Sequence, residues 1–272
     1  MGKILIQTTT TYNDDDWNVG HFALLGDFLR DNGHQVIMRD RQPATDGNDR
    51  VLSNLNTSDF DQLWLIATDT GNGLGPADVR GILLFRDRGG GVLTARDHQD
   101  YGVSLLNLGS IGFVNKFARY NRERERGRQY SSGTSGDFQR IIPLEPVHEV
   151  LRTEKSPSGV IEYFPAHPHE GVLSVPGDMP YARVIAASIS PVSGQSINLA
   201  VAIENEPTNN GHRNGRAIAL SSFHHLADMN WDAATTGPRR VSEHRGTQLL
   251  EEPAKLDVYK DYIRNVARWL SP

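Results

Sequence analysis

Four residues have the types and the placing for acid–base chemistry: Asp97, His98, His224 and His225. Asp97 and His98 follow an apolar run, Gly91-Val92-Leu93-Thr94-Ala95, separated from it only by Arg96. His224 and His225 follow a second run, Arg216-Ala217-Ile218-Ala219-Leu220-Ser221, after Ser222 and Phe223. A strand that breaks into a sharp turn and a helix presents a residue at the rim of an α/β sheet. An imidazole titrates near neutral pH, so it can both take and give a proton. With the two strands as neighbours, His224 or His225 faces Asp97 or His98 across a crevice. Side chains alternate along extended chain, so only one of His224 and His225 points into it.

The elements that must place these residues are legible from pattern. Lys3 to Gln7 reads as a buried strand, His21 to Leu29 as a helix stopped at Asn32-Gly33, and Gln35 to Met38 as a second strand. A weak helix covers Val51 to Leu55. Leu63 to Ala67 is a third strand, emptying into the glycine-rich loop Thr68 to Gly75. Pro76-Ala77-Asp78 starts a helix that runs through Val79, Ile82, Leu83 and Phe85 and stops at Gly89. The run before Arg96 is the fourth strand, and Val103 to Leu108 a short helix. Three β-to-α units in succession predict an α/β fold: a doubly wound, mostly parallel, flavodoxin-like sheet with helices on both faces. From Asn115 the texture turns polar, with arginines through Arg128 and a Ser/Gly loop to Gly136. We read 115–158 as an exposed insertion in a single domain, 1–272. Gly159 to Phe164 reads as an edge strand. Arg183 to Ser188, Asn198 to Ile203 and Arg216 to Ser221 are further strands, and Leu256 to Leu270 is a closing amphipathic helix.

Composition narrows the function classes. The net charge of −5 gives no footprint for nucleic acid or a membrane surface. No apolar run approaches the roughly 18 residues of a membrane span. Met1-Gly2-Lys3 leads straight into a strand, without a leader, so the cytoplasm is the expected location. There is no cysteine, which excludes disulfides, thiolate metal sites and a thiol nucleophile.

Ligands of an open parallel sheet bind outside the carboxyl ends of its strands. That rule selects the loops Thr8 to Trp17, Asp69 to Gly75, Arg96 to Tyr101, and Ser222 to Asp232. From them we take Asp16, Trp17, Gly71, Gly73, Arg96, Asp228 and Trp231 as candidate substrate contacts. Gly71 and Gly73 let backbone N–H groups approach a developing oxyanion. Trp17 and Trp231 offer flat faces on which a sugar stacks. Each also has a commoner structural use. Asp16 and Asp97 suit helix caps, Arg96 a structural ion pair, Asp228 loop order, and a loop tryptophan packing. A divalent metal site built from Asp97, His98, His224, His225 and Asp228 is the weaker arrangement. Adjacent histidines diverge along a strand and there is no HExxH spacing, so no metal ligand is assigned.

The layout resembles the class I glutamine amidotransferase fold, and within it the trehalose-utilisation (ThuA-like) branch. Lys3-Ile4-Leu5-Ile6 with Asp15-Asp16-Trp17 and Asn32-Gly33-His34-Gln35-Val36 is similar to that branch's opening. Leu63-Trp64-Leu65-Ile66 resembles the oxyanion-loop strand, and Gly90 to Arg96 the nucleophile-elbow strand. Arg216 to His225 resembles the strand that delivers the amidotransferase histidine, and His167-Pro168 a His-Pro motif of the ThuA-like branch. The elbow holds Ala95, Arg96 or Asp97 where an amidotransferase needs a thiolate, so glutaminase activity by that route is rejected. The resemblance implies a carbohydrate or keto-sugar as the small-molecule ligand, handled by acid–base chemistry. The alternative is a catalytically inactive binding or assembly protein on the same scaffold. No cofactor is named by the sequence, and a homo-oligomer is compatible with it.

Overall fold

A computed structural model describes residues 1–97, 101–116, 131–208, 210–239, 241 and 244–272. His98 and most of the arginine-rich stretch to Arg128 lie outside the described residues.

The amino-terminal half alternates strands and helices as the pattern requires. β1 (Lys3–Thr8) leads through a short 3-10 turn into α1 (Ala23–Asp31) and β2 (Gln35–Arg39). α2 (Arg50–Ser53) precedes β3 (Gln62–Ile66), α3 (Pro76–Asp87), β4 (Gly91–Ala95) and α4 (Gly109–Asn115). The 103–108 stretch predicted as a helix forms a 3-10 turn, Val103–Asn107, just before α4. β5 (Phe138–Arg140), β6 (Ile142–Pro143), β7 (Tyr163–Pro165), β8 (Ala182–Ile189), β9 (Ser196–Ile203) and β10 (Ala217–Leu220) follow. α5 (Gln248–Glu251) and α6 (Pro253–Trp269) close the chain.

The main sheet has eight strands in the order β2-β1-β3-β4-β10-β9-β8-β6. Its first five strands are mutually parallel, and β9, β8 and β6 extend it antiparallel. Both faces are covered, because the pleat sends successive apolar residues to opposite sides. Ile4, Ile6, Trp64, Leu93 and Ile218 pack with α1 and α6. Leu5, Leu63, Leu65, Val92 and Ala219 pack with α2, α3 and α4. The doubly wound sheet is the fold class expected from the sequence. α6 is pinned at the sheet by Gln62, whose Nε2 donates to the carbonyl of Ala267 at 2.6 Å.

The described part of the presumed insertion is woven into the body rather than looped out. β6 pairs with β8 at the sheet edge, and β5 pairs with β7 in a small second sheet. Ser132, Gln139, Val150 and Leu151 are buried there. Polar composition alone suggests a solvated segment. The Ser132 hydroxyl and the Gln139 Nε2 find partners far along the chain, at His167, Pro165 and Glu170.

Candidate functional site

β4 and β10 are adjacent and parallel, with Ala95 opposite Leu220. Two residues further on, Asp97 and Ser222 are therefore brought side by side at the carboxyl rim. The Ser222 hydroxyl lies 3.3 Å from Asp97 Oδ1 and donates to it. The two loops are also tied by backbone, since the N–H of Phe223 donates to the carbonyl of Arg96 at 2.9 Å.

Local chemistry fixes each loop. Arg96 is buried, donating from Nε to the carbonyl of Tyr101 at 2.8 Å and from a terminal nitrogen to that of Asn115 at 2.6 Å. It holds the turn after β4 closed. Gly102 has φ +70°, a left-handed conformation that costs a side chain-bearing residue free energy. Its N–H donates to the carbonyl of Asp69 at 2.6 Å, which ties the loop after β4 to the loop after β3. After β10 the chain forms a 3-10 turn, Phe223–Leu226, capped by the Ser222 hydroxyl accepting from the N–H of His224 at 3.1 Å. The two histidines therefore sit on a turn, not on extended chain.

That turn separates them. His224 joins Asp97, with Nδ1 at 3.6 Å from Asp97 Oδ2 and 3.1 Å from the Ser222 hydroxyl. A third loop, after β7, brings His167, whose Nε2 stands 3.3 Å from Asp97 Oδ1. The His167 and His224 rings stack at 3.6 Å between centroids, 15° from parallel. Phe223 stacks against the His224 ring, and the edge of Trp17 meets it at 4.8 Å. Asp97, His167 and His224 are 2%, 0% and 3% exposed. One ligand-type atom from each lies within 4.8 Å of the others, but the near-parallel stacking of the two rings keeps their nitrogen lone pairs from converging on one ion.

His225 enters a second, wholly buried group. Its Nε2 lies 2.7 Å from Glu170 Oε1. The same oxygen accepts from the Ser132 hydroxyl and from Gln139 Nε2, both at 3.0 Å, and Oε2 accepts from the Ser221 hydroxyl at 2.7 Å. Burial works against the charge on Glu170. The pull of His225, by charge and by hydrogen bond, together with His167 and Ser221, outweighs it and keeps the carboxyl below its ordinary range.

The remaining sequence candidates take other places. Trp17 is buried against His224 and Phe223 and presents no open platform. Asp16 is half-buried, its Oδ1 accepting from the N–H of Trp17 at 2.8 Å. The N–H of Gly71 donates to Asp69 Oδ2 at 2.9 Å, and a Cβ at Gly73 would lie 2.5 Å from Asp69 and Ser104. Asp228 caps α1, its two oxygens accepting from the N–H groups of Ala23 and Leu24. Burial raises its carboxyl above the ordinary value. Trp231 donates from its indole to the carbonyl of His225 at 3.0 Å and packs on Phe28 and Tyr259. The metal set drawn from sequence is thus not assembled. His225 is bonded to Glu170, Asp228 caps a helix, and His98 lies outside the described residues.

Sequence reasoning saw His167-Pro168 only as a motif and missed Glu170, Ser132, Gln139, Ser221 and Ser222 as participants. Two signals pointed there. Ser221 and Ser222 end an apolar strand with two hydroxyls, and His167, His169 and Glu170 crowd within four residues.

No family model matches the sequence, and no curated protein does. Among solved structures the chain is similar to the cytoplasmic protein STM3548 from Salmonella typhimurium. Identity is 13%, the likeness covers 98% of each chain, and the TM-score is 0.51. A second likeness is to the glutaminase domain of Trypanosoma brucei CTPS with bound acivicin, at 11% identity over 98% of this chain and 94% of that one. Its TM-score is 0.39, too low to carry an argument. At these identities the first likeness is one of fold alone.

Proposed function

We propose that this chain is a small-molecule enzyme on an amidotransferase-like scaffold that dispenses with the thiol, acting on a carbohydrate or keto-sugar. The reaction is proton abstraction beside a carbonyl. Such chemistry needs a group that moves a proton and a group that meets the charge developing on oxygen. The observation that carries this reading is the meeting of Asp97 with His167 and His224. They come from three loops far apart in the chain and stand at 3.3 and 3.6 Å from the carboxylate. The carbohydrate class rests on the resemblance to the ThuA-like branch, and a cytoplasmic site of action belongs to the same reading.

The test is hydrogen–deuterium exchange. The protein is incubated in D2O with a panel of sugars and keto-sugars, and loss of the C–H signal beside the carbonyl is followed by proton NMR. We expect exchange for at least one keto-sugar, and a loss of about 100-fold or more in Asp97→Asn. An Asp97→Asn protein as active as the parent, or no exchange with any member of the panel, overturns the reading. A second reading, a catalytically silent binding protein, is favoured by one observation: all three side chains are buried. Tight binding of a sugar without exchange would establish it.

A further inference from the structure

We infer that the two stacked imidazoles have different tasks: His167 carries the proton and serves as the acid, His224 is neutral and serves as the base through Nε2, and Glu170 is the positioning residue that sets this order. The inference rests on the reading of this cluster as the working site and assigns the steps within it.

Stacking forces a choice. Two imidazolium rings 3.6 Å apart and 15° from parallel repel each other, so the pair takes up one proton far more readily than two. A charged ring over a neutral one is favourable, as for a cation over an aromatic face. Asp97 does not choose between them, because it offers one oxygen to each. Oδ1 faces His167 Nε2 at 3.3 Å, and Oδ2 faces His224 Nδ1 at 3.6 Å.

The surroundings make the choice. His167 has a second carboxylate in Glu170, three residues further on, and the attraction between the two helps to hold the Glu170 carboxyl low. Ser132 ties them together. Its hydroxyl accepts from the N–H of His167 at 2.8 Å and donates to Glu170 Oε1 at 3.0 Å. His224 has aromatic neighbours instead. Phe223 stacks on it at 4.7 Å, and the edge of Trp17 meets it at 4.8 Å. Apolar cover favours the uncharged ring. Among the described residues, the other titratable groups facing the pair are His169, with its ring 5.9 Å from that of His167, and His225, bonded to Glu170. The two buried carboxylates thus serve three buried imidazoles, His167, His224 and His225, and one ring is left without a counter-charge. His224 is the ring that sits among apolar ones.

Hydrogen bonding settles which nitrogen of His224 is the base. The single proton of the Ser222 hydroxyl goes to Asp97 Oδ1, so the 3.1 Å contact between that hydroxyl and His224 Nδ1 is made by the ring N–H donating. Nε2 then holds the lone pair. In the proposed reaction Nε2 takes the proton from the carbon beside the carbonyl as the C–H bond breaks. The released electron pair forms the C=C bond, the carbonyl π pair moves to oxygen, and that oxygen takes a proton from His167. One proton enters His224 and one leaves His167, so the substrate becomes a neutral enediol.

The experiment uses the full chain labelled with nitrogen-15 at histidine. Ring nitrogens are read by two-bond proton–nitrogen correlation between pH 5 and 9, and His167→Gln and His224→Gln identify the signals by their loss. At pH 7 we expect the imidazolium pattern for His167 and the pattern of a neutral ring protonated at Nδ1 for His224. In Glu170→Gln the midpoint of His167 should fall by about one pH unit or more, the usual consequence of losing a nearby opposite charge. The alkaline limb of the keto-sugar exchange rate should move to lower pH by the same amount, a displacement that loosened packing does not produce. Where the variant does not fold, the parent spectra decide by themselves. A neutral His167 at pH 7, a His224 with a proton on Nε2, or a His167 midpoint unmoved in folded Glu170→Gln overturns the inference. The expected spectra without exchange on any keto-sugar sink the proposed reaction and leave the order of protonation standing. Exchange with the opposite order of protonation sinks the assignment alone.

Discussion

At the scale of single residues, Glu170 is where the structure places the largest local consequence. It is fully buried, with four partners from two segments of chain, 132–139 and 221–225. Glu170→Gln keeps the shape but removes the charge that His225 faces and puts a donor among donors. We expect a loss of about 2–4 kcal/mol in urea unfolding, with the midpoint falling and the slope unchanged. His148 makes a separate, pH-dependent statement. Burial first, then the cations of Arg183 and Arg216, lower its pKa from 6.5 to about 4. It stacks edge-on against Trp269, and its Nδ1 accepts from the N–H of Val150 at 3.3 Å. Between about pH 6.5 and 4 the unfolded chain binds a proton at this position that the folded chain refuses. Stability therefore falls as pH drops through that window and levels off below it. His148→Asn keeps an acceptor for the N–H of Val150 and cannot titrate. Thermal melts from pH 7.5 to 4 should show a shallower decline for the variant than for the parent, from a lower starting point.

At the scale of elements, the polar side chains after the strands act mainly as ties between elements. Asp228 belongs to the loop after β10 but caps α1, more than 190 residues earlier in the chain. Asp228→Ala should cost about 1 kcal/mol, the usual worth of a helix cap, and Asp228→Asn less, since an acceptor remains. Differential scanning calorimetry resolves that difference. The loop after β3 is fastened in the same manner. Asp69 accepts from the Ser104 hydroxyl at 2.7 Å and from the N–H of Gly71, joining the loops after β3 and β4. Much of the polarity that makes these loops look catalytic in the sequence is spent on holding them in register.

At the scale of the whole molecule, one sheet carries two cores. Trp17, Trp64, Trp231 and Trp269 all pack in the core on the α1 and α6 face. Each is at most 5% exposed. The folded protein should emit at short wavelength and resist quenching by acrylamide, and unfolding should shift and expose all four indoles in one step. A biphasic fluorescence transition would mean that the parallel half and the antiparallel extension come apart separately. The shared sheet, continuous from β2 to β6, argues for one transition. Among the described residues no helix is long and apolar enough to cross a membrane.

What the sequence determined by itself was local and periodic. The alternation of buried strands with amphipathic helices, the stops at Asn32-Gly33 and Gly89, and the loop that carries Asp97 are all written in neighbouring residues. Periods of 2 and 3.6 need no knowledge of distant chain. The placing of Asp97 near His224 was legible too, because it follows from two strands being neighbours. Tertiary structure decided the rest. It chose between His224 and His225 through a 3-10 turn that strand alternation does not foresee. It brought His167 to Asp97 across 70 residues of chain, and it buried Ser132 and Gln139 from a segment that reads as solvated. A side chain's partner depends on where the backbone of another segment runs. Neither hydropathy nor spacing along one segment encodes that.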